Sequence, residues 1–306
     1  MPCEEHINSR KKRKKNYKNV SVLAPKECSF CKSKNFIKWG WRYNCTTKKQ
    51  RYKCKNCSQL FIVDDGFFKV KQKREVITQC LNLYMNGMSL RKVREHFNQF
   101  SEYQISHQSI LNWIRRYAVM LKPFTQSLDL DLSRIYHTDE IFVKCSGQQH
   151  YFWNILDRET RTLIATHYST KRDSKSAKLL FLKVKNKPLI LFTDGMQGYR
   201  KAYRKVWGSN KRSQDKNTYI RLKADKDKRN NISERIQGTI RERIKVMRGF
   251  KNKESAKLIL DLFVIYYNSI RIHQGIGKTP IEEAGIKLNN YDKNRWLNLI
   301  YSAKEE

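Results

Sequence analysis

The stretch Leu189-Ile190-Leu191-Phe192-Thr193-Asp194-Gly195 constrains the fold more than any other in the chain. Its apolar run ends abruptly in an acid and a glycine, the pattern of a short strand buried on both faces. Such strands belong to sheets covered by helices, and ligands gather beyond their carboxyl ends. Asp194 therefore stands where chemistry is expected, although Asp-Gly is also an ordinary way to leave a sheet. Upstream, Ile135–Val143, Tyr151–Asp157 and Thr162–Thr166 read as strands, with Gly147 and Arg158-Glu159-Thr160 in the turns between them. Helices over 174–183 and 198–207 flank the buried strand. Three antiparallel strands, a helix and a parallel strand is the order of ribonuclease-H-like folds, so a multidomain chain with an α/β core and a mixed sheet is predicted.

Ahead of this core, expected over 130–285, the chain divides into smaller pieces. Residues 1–26 carry Arg10-Lys11-Lys12-Arg13-Lys14-Lys15, whose like charges repel along a helix, so a solvated basic arm is expected. Over 27–70 stand Cys28-x2-Cys31 and Cys54-x2-Cys57. Two such knuckles bring four thiolates round one tetrahedral Zn²⁺, which predicts a zinc ribbon with a structural metal. Phe36–Trp41 and Gln50–Lys53 read as its strands, with Phe61 filling a small core. Cys45 lies between the knuckles without a partner, and Cys3, Cys80 and Cys145 follow no pattern.

Over 71–124 apolar positions recur at helical spacing. Val76, Ile77, Cys80, Leu81 and Tyr84 precede Gly87; Leu90, Val93 and Phe97 follow Ser89; Ile110 to Leu121 follow Ser106, and Pro123 marks the exit. Three short helices with a glycine turn fit a helix-turn-helix. Its third helix would read DNA through His107, Gln108, Asn112, Arg115 and Arg116. A plain helical bundle between two domains fits the same pattern. Residues 286–306 are expected to form a C-terminal helical extension.

Charge narrows the partner. Lys and Arg number 64 against 28 Asp and Glu, for a net charge of +36. Such a field selects a polyanion, so double-stranded DNA is the expected partner. A hydrophobic fraction of 39% excludes a wholly disordered basic tail. No secretory signal or membrane span is read, because the most apolar long segment, Leu258–Tyr267, is interrupted by Asp261. The expectation is a cytoplasmic, nucleoid-associated protein with no membrane partner.

Three acids fall in matching contexts: Asp139 within the first strand, Asp194 after the buried strand, and Glu234 on a helix over 231–245. Carboxylates brought together repel unless hard divalent cations neutralise them. Two Mg²⁺ or Mn²⁺ would serve in-line attack on a phosphodiester. On the later helix Ile232, Ile236, Ile240 and Ile244 form an apolar stripe. Glu234, Arg241 and Lys245 share a face nearly opposite to it, so Glu234 reaches a sheet only from a tilted helix end. Glu140 is expected on the opposite strand face from Asp139. Asp157 reads as a turn cap, and Asp173, Asp225 and Asp227 as solvated loop acids. Tyr266 and Tyr267, near Arg271 and His273, leave a tyrosine nucleophile as a weaker alternative.

Several stretches carry a resemblance: HTDE at 137–140, YFWNILD at 151–157, TDGMQGY at 193–199, NNISERIQGTIRERIKVMRGF at 230–250 and YYNSIRIHQGIGKTP at 266–280. Together with the helix-turn-helix pattern they resemble DDE-type transposases of insertion sequences, relatives of retroviral integrases. The chain is most similar to insertion-sequence family six, in a version with an N-terminal zinc ribbon. The resemblance covers the chain from about Cys28 to Gly285. It implies a metal-binding triad of Asp139, Asp194 and Glu234, and makes Arg241 a residue that holds DNA. It also implies recognition of terminal inverted repeats, strand cleavage and transfer, and a homodimer or larger assembly. Ser58 stands where a ribbon often has glycine, and Ile272 where relatives usually have proline. A regulator that binds DNA without catalysis, or a nuclease of the same fold, is the alternative.

Overall fold

The computed structural model of the chain describes residues 23–43, 48–208, 218–222 and 231–305. The basic run Arg10–Lys15, Cys3, Cys45, Asp225, Asp227 and most of the polar segment 210–229 lie outside the described residues. The chain forms two compact units, Met1–Val76 with Asn289–Glu306, and Ile77–Leu288.

In the first unit β1 (Phe36–Tyr43) pairs antiparallel with β2 (Lys48–Cys54), and β2 with β3 (Leu60–Phe61). β2 buries Gln50, Tyr52 and Cys54 at the period of two that a half-buried strand requires. Tyr52 stacks on Phe61 at 5.7 Å and Phe36 meets both rings edge-on. Apart from these rings the core is little more than Cys28 and Cys54. Ser58 adopts φ +58°, the left-handed conformation that glycine takes without strain. The helix Arg295–Glu305 belongs to this same unit: Tyr301 packs on Phe67 at 6.3 Å and accepts a hydrogen bond from Arg74, and Lys304 pairs with Asp64 at 2.9 Å.

The second unit takes up most of α1 (Arg74–Met85), then α2 (Leu90–Phe100) and α3 (His107–Ser127). Ser89 and Ser106 cap the latter two, accepting the N–H groups of Lys92 and Ser109. Gly87, at φ +99°, turns the chain after α1. Contrary to the sequence reading, α3 does not end at Pro123 but continues to Ser127. Packing outweighs the missing N–H, since Leu121 and Phe124 are buried and Lys122 is paired at 2.6 Å with Asp261 of a later helix. Thr125 Oγ1 meanwhile donates to the Leu121 carbonyl at 3.1 Å. The exposed Pro123 still carries the cost of an interior proline. Pro123→Ala is expected to stabilise this unit by roughly 1–3 kcal/mol. A higher urea midpoint at unchanged slope would register it.

A five-stranded mixed sheet forms the centre of the unit. β4 (Ile135–Cys145), β5 (Gln148–Asp157) and β6 (Leu163–Ser169) are antiparallel, while β7 (Ile190–Thr193) and β8 (Tyr219–Arg221) run parallel to β4, in the order β6-β5-β4-β7-β8. The order expected from the sequence is present: three antiparallel strands, a helix, then a strand parallel to the first. α4 (Ser174–Phe181) and α5 (Gln197–Val206) cover one face, burying Ala177, Leu180, Phe181, Tyr199, Ala202 and Tyr203 against Tyr136, Trp153 and Leu191. Leu189, read as the first buried residue of β7, is 54% exposed because the strand begins one residue later.

α6 (Asn231–Met247), α7 (Lys253–Ser269) and the short α8 (Pro280–Glu283) follow. α6 is pinned at two places. Arg243 lies buried, its guanidinium 3.6 Å from the Tyr84 ring centre and donating to the Met88 carbonyl. Beyond the helix, Phe250 exchanges backbone hydrogen bonds with Lys144 and Ser146 at 2.8 Å, at the far end of β4. Gly249 makes that approach possible, since a Cβ there would stand 3.2 Å from the Lys144 carbonyl and its φ is +119°. Thr279 and Glu282 form a capping box on α8.

Candidate active site

Parallel register brings two of the three acids together. Thr138 of β4 lies opposite Thr193, the last residue of β7. Asp139 and Asp194 are the next residue on each chain, so both stand at the carboxyl end of the parallel pair. Asp139 accepts the Glu140 N–H at 2.9 Å, and Asp194 accepts the Met196 N–H at 3.0 Å, just ahead of α5. The amino end of that helix favours a carboxylate.

Glu140 joins them. Alternation along β4 places it on the face opposite Asp139, as expected, but β7 has ended and the edge of β4 is open there. Its carboxylate reaches the same point, and among the described residues Asp139, Glu140 and Asp194 have ligand oxygens all within 4.8 Å. Glu140 is buried, accepts from the buried Tyr199 hydroxyl at 2.5 Å and pairs with Arg172, which also contacts Asp194 at 3.3 Å. Burial, then the charges of Glu140 and Asp194, push the Asp139 carboxyl up to about 7. Burial likewise raises Glu140, and raises Tyr199 well above the ordinary phenol range.

Glu234 is exposed on α6 and is not among these close-set oxygens. The helix presents Gln237, one turn further on, to the cluster: its amide lies within electrostatic reach of Asp139. Arg241 and Lys245 are exposed with Glu234, as the helical period requires. The buried face of α6 consists of Ser233, Ile236, Gln237, Ile240 and Arg243, so it is rotated from the isoleucine stripe by its polar anchors. On α3, His107, Gln108, Asn112 and Arg115 are exposed and Arg116 half-buried, with Gln108 donating to Asn112 at 3.1 Å.

The rival groups have structural employment. Asp157 is buried and accepts from Thr160 and Ser133, and Asp173 caps α4 instead of standing free in a loop. Tyr266 donates to Asn86, while burial pushes Tyr267 up to about 12, so neither is an exposed nucleophile. Arg172, Tyr199 and Gln237 were missed in the sequence. Each is distant along the chain from the acid it meets, and only the TDGMQGY stretch hinted at Tyr199.

The residues present fit divalent cations. Every close donor is a carboxylate oxygen, the Arg172 guanidinium already stands as a cation between Glu140 and Asp194, and the buried Gln237 Oε1 has no hydrogen-bond partner. Because Arg172 competes for the same charge, Arg172→Gln is expected to tighten Mn²⁺ binding several-fold. Electron paramagnetic resonance of free Mn²⁺ measures this without turnover.

A second cluster sits in the first unit. The thiols of Cys28, Cys31, Cys54 and Cys57 lie within 4.8 Å of one another, at 3.7 Å for Cys28 to Cys57 and 3.5 Å for Cys31 to Cys54. These separations are too long for disulfides and match the edges of a tetrahedron about an ion bound at ~2.3 Å. Backbone N–H groups of Cys57 and Asn56 hold the Cys54 thiol down at about 6, ready to ligate as thiolate.

Fold and site together give a mixed five-stranded sheet with carboxylates at the end of its central parallel pair. Comparison with known proteins gives the more particular class. Residues 133–273 match the family model described as DDE domain, of the IS240 group of transposases. The matched segment, similar to a DDE transposase domain, carries the Asp139, Glu140 and Asp194 cluster. An uncharacterized 48.3 kDa protein of insertion element ISM1 from Methanobrevibacter smithii is 29% identical over 162 residues, half of this chain. The chain spans about two fifths of that relative's length, 39%. Among solved structures, the HTLV-2 integrase catalytic core domain in complex with magnesium is 15% identical, with 51% of this chain and 99% of that chain covered, at a TM-score of 0.37. A simian T-cell lymphotropic virus intasome in complex with PP2A regulatory subunit B56 gamma is 11% identical, covering 68% and 75%, at 0.36. Among the described residues no helix is long and apolar enough to cross a membrane.

Proposed function

We propose that the chain is a DNA transposase that binds the terminal inverted repeats of a mobile element and cuts and joins its strands. The observation that carries this reading is the convergence of Asp139 and Asp194 inside the segment that matches the DDE domain. Asp139, Asp194 and Glu234 would hold two Mg²⁺ or Mn²⁺, whose chemistry there is activation of the attacking hydroxyl and neutralisation of the leaving oxygen. Glu234 enters from the first turn of α6, one turn ahead of Gln237, when that end of the helix leans toward the cluster. Glu140, fixed by Tyr199 and Arg172, holds Arg172 beside Asp194, within reach of an incoming phosphate.

Cys28, Cys31, Cys54 and Cys57 bind one structural Zn²⁺ in a zinc ribbon, where Lys53 over Trp39 and Lys48 over Trp41 offer a basic aromatic surface to DNA. α2 and α3 act as a helix-turn-helix, with His107, Gln108, Asn112, Arg115 and Arg116 toward the groove and Arg241 and Lys245 toward phosphates. A net charge of +36 supports a DNA partner in the cytoplasm, at the nucleoid. Joining two ends calls for a dimer or larger assembly. The test is a strand-transfer assay with purified protein, Mn²⁺ and the DNA ends flanking the gene. Joined products are expected; cutting without joining would indicate a nuclease, and bound but uncut DNA a regulator.

A further inference from the structure

The start of α6 also forms one wall of a second cavity, of about 520 Å³, whose other walls come from the end of β5, the turn after it and the segment following α7. Arg161, Arg235 and Arg271 line it, with His273, Asn231 and Thr239. No carboxylate lines it, and none of the three arginines is ion-paired among the described residues. Guanidinium groups do not shed their charge, so three around one cleft repel one another until an anion enters.

The positions of these groups are built into the fold. Arg161 holds φ +61°, in the left-handed region. The turn keeps it there: Asp157 accepts the Thr160 N–H at 3.0 Å through its side chain and the Arg161 N–H at 3.1 Å through its carbonyl. Arg271 lies 5.8 Å from the centre of the buried Tyr267 ring. His273 Nδ1 accepts the Gly275 N–H at 3.2 Å, which leaves the ring proton on Nε2 as a donor. Burial and then the charges of Arg271, Arg161 and Arg235 lower the basicity of that imidazole.

We propose that this pocket binds a phosphate group, with the arginines as forked donors to its oxygens and His273 as a further donor. The pocket rests on the transposase reading only for the source of the phosphate. Arg235 directly follows Glu234 on α6, so a DNA backbone phosphate held here would lie beside the third acid of the proposed site. A free phosphate-bearing molecule offers the same chemistry.

The experiment uses the full chain without divalent metal, as wild type, Arg235→Gln, Arg271→Gln and Asp194→Asn. One arm titrates inorganic phosphate by calorimetry; the other measures binding of end DNA against salt concentration. Phosphate affinity is expected to fall about tenfold or more in both arginine variants and to be unchanged in Asp194→Asn. If DNA is the source, each arginine variant also flattens the logarithmic salt dependence by about one. A phosphate loss without that flattening assigns the pocket to a free ligand. Wild-type phosphate affinity and salt slope in Arg235→Gln, a substitution at an exposed position, would overturn the pocket. Should Asp194→Asn cut end DNA normally in a parallel assay with Mn²⁺ while Arg235→Gln loses phosphate, the active-site reading fails and the pocket stands.

Discussion

Asp194→Asn and Asp139→Asn are expected to lower strand cleavage and transfer by on the order of a thousandfold or more, with binding of end DNA kept. Each removes a carboxylate from the point where β4 and β7 deliver two in parallel register, and the neutral amide holds a divalent cation poorly. DNA recognition is assigned to other surfaces, so anisotropy with labelled ends should be unchanged. A variant that cut as fast as wild type would remove that acid from the site.

The two substitutions differ in a second respect. Asp139 is held up at about 7 by burial and by Glu140 and Asp194, whereas in the unfolded chain it titrates near ~3.9. Without metal, the folded state therefore clings to a proton that the unfolded state releases. Stability is lost progressively as pH rises from about 4 to about 7, and the loss is complete above that. Its upper limit is about 4 kcal/mol, reduced to about 1–2 kcal/mol because Asp139 is only partly shielded from water. Asp139→Asn is expected to melt higher than wild type at pH 8 and equally at pH 4. Identical melting curves at pH 8 would mean that Asp139 ionises normally.

The other large effect concerns the four cysteines. Removal of the metal, or Cys54→Ser, is expected to unfold the three-stranded sheet. Its apolar interior is little more than the rings of Phe36, Tyr52 and Phe61 against the two buried cysteines, too small to offset the ordering of its chain. Zinc binding in such units supplies about 10–16 kcal/mol, which is the folding energy itself. One zinc per chain by elemental analysis, and loss of dispersed amide resonances from 28–61 on chelation, are the expected results. Retention of that dispersion in metal-free protein would refute a structural metal.

Local pattern carried much of this protein into view. The paired knuckles marked Cys28, Cys31, Cys54 and Cys57. Serines announced α2 and α3, and apolar runs between turn residues announced β4, β5 and β6. Asp139 and Asp194 were legible as acids in strand contexts, because such a run has few other ways to be buried. The sequence reading closed α3 at Pro123, however, since the tie from Lys122 to Asp261 crosses to a helix far along the chain.

What shares a point in space was settled elsewhere. The register of Thr138 against Thr193 makes Asp139 and Asp194 neighbours, and the early end of β7 lets Glu140 reach them from the opposite face. The rotation of α6, set by Arg243 against Tyr84, turns Gln237 rather than Glu234 toward Asp139. Periodicity records which face of an element avoids water. Long-range register and helix rotation, fixed by contacts between distant segments, decide which polar groups that face brings together.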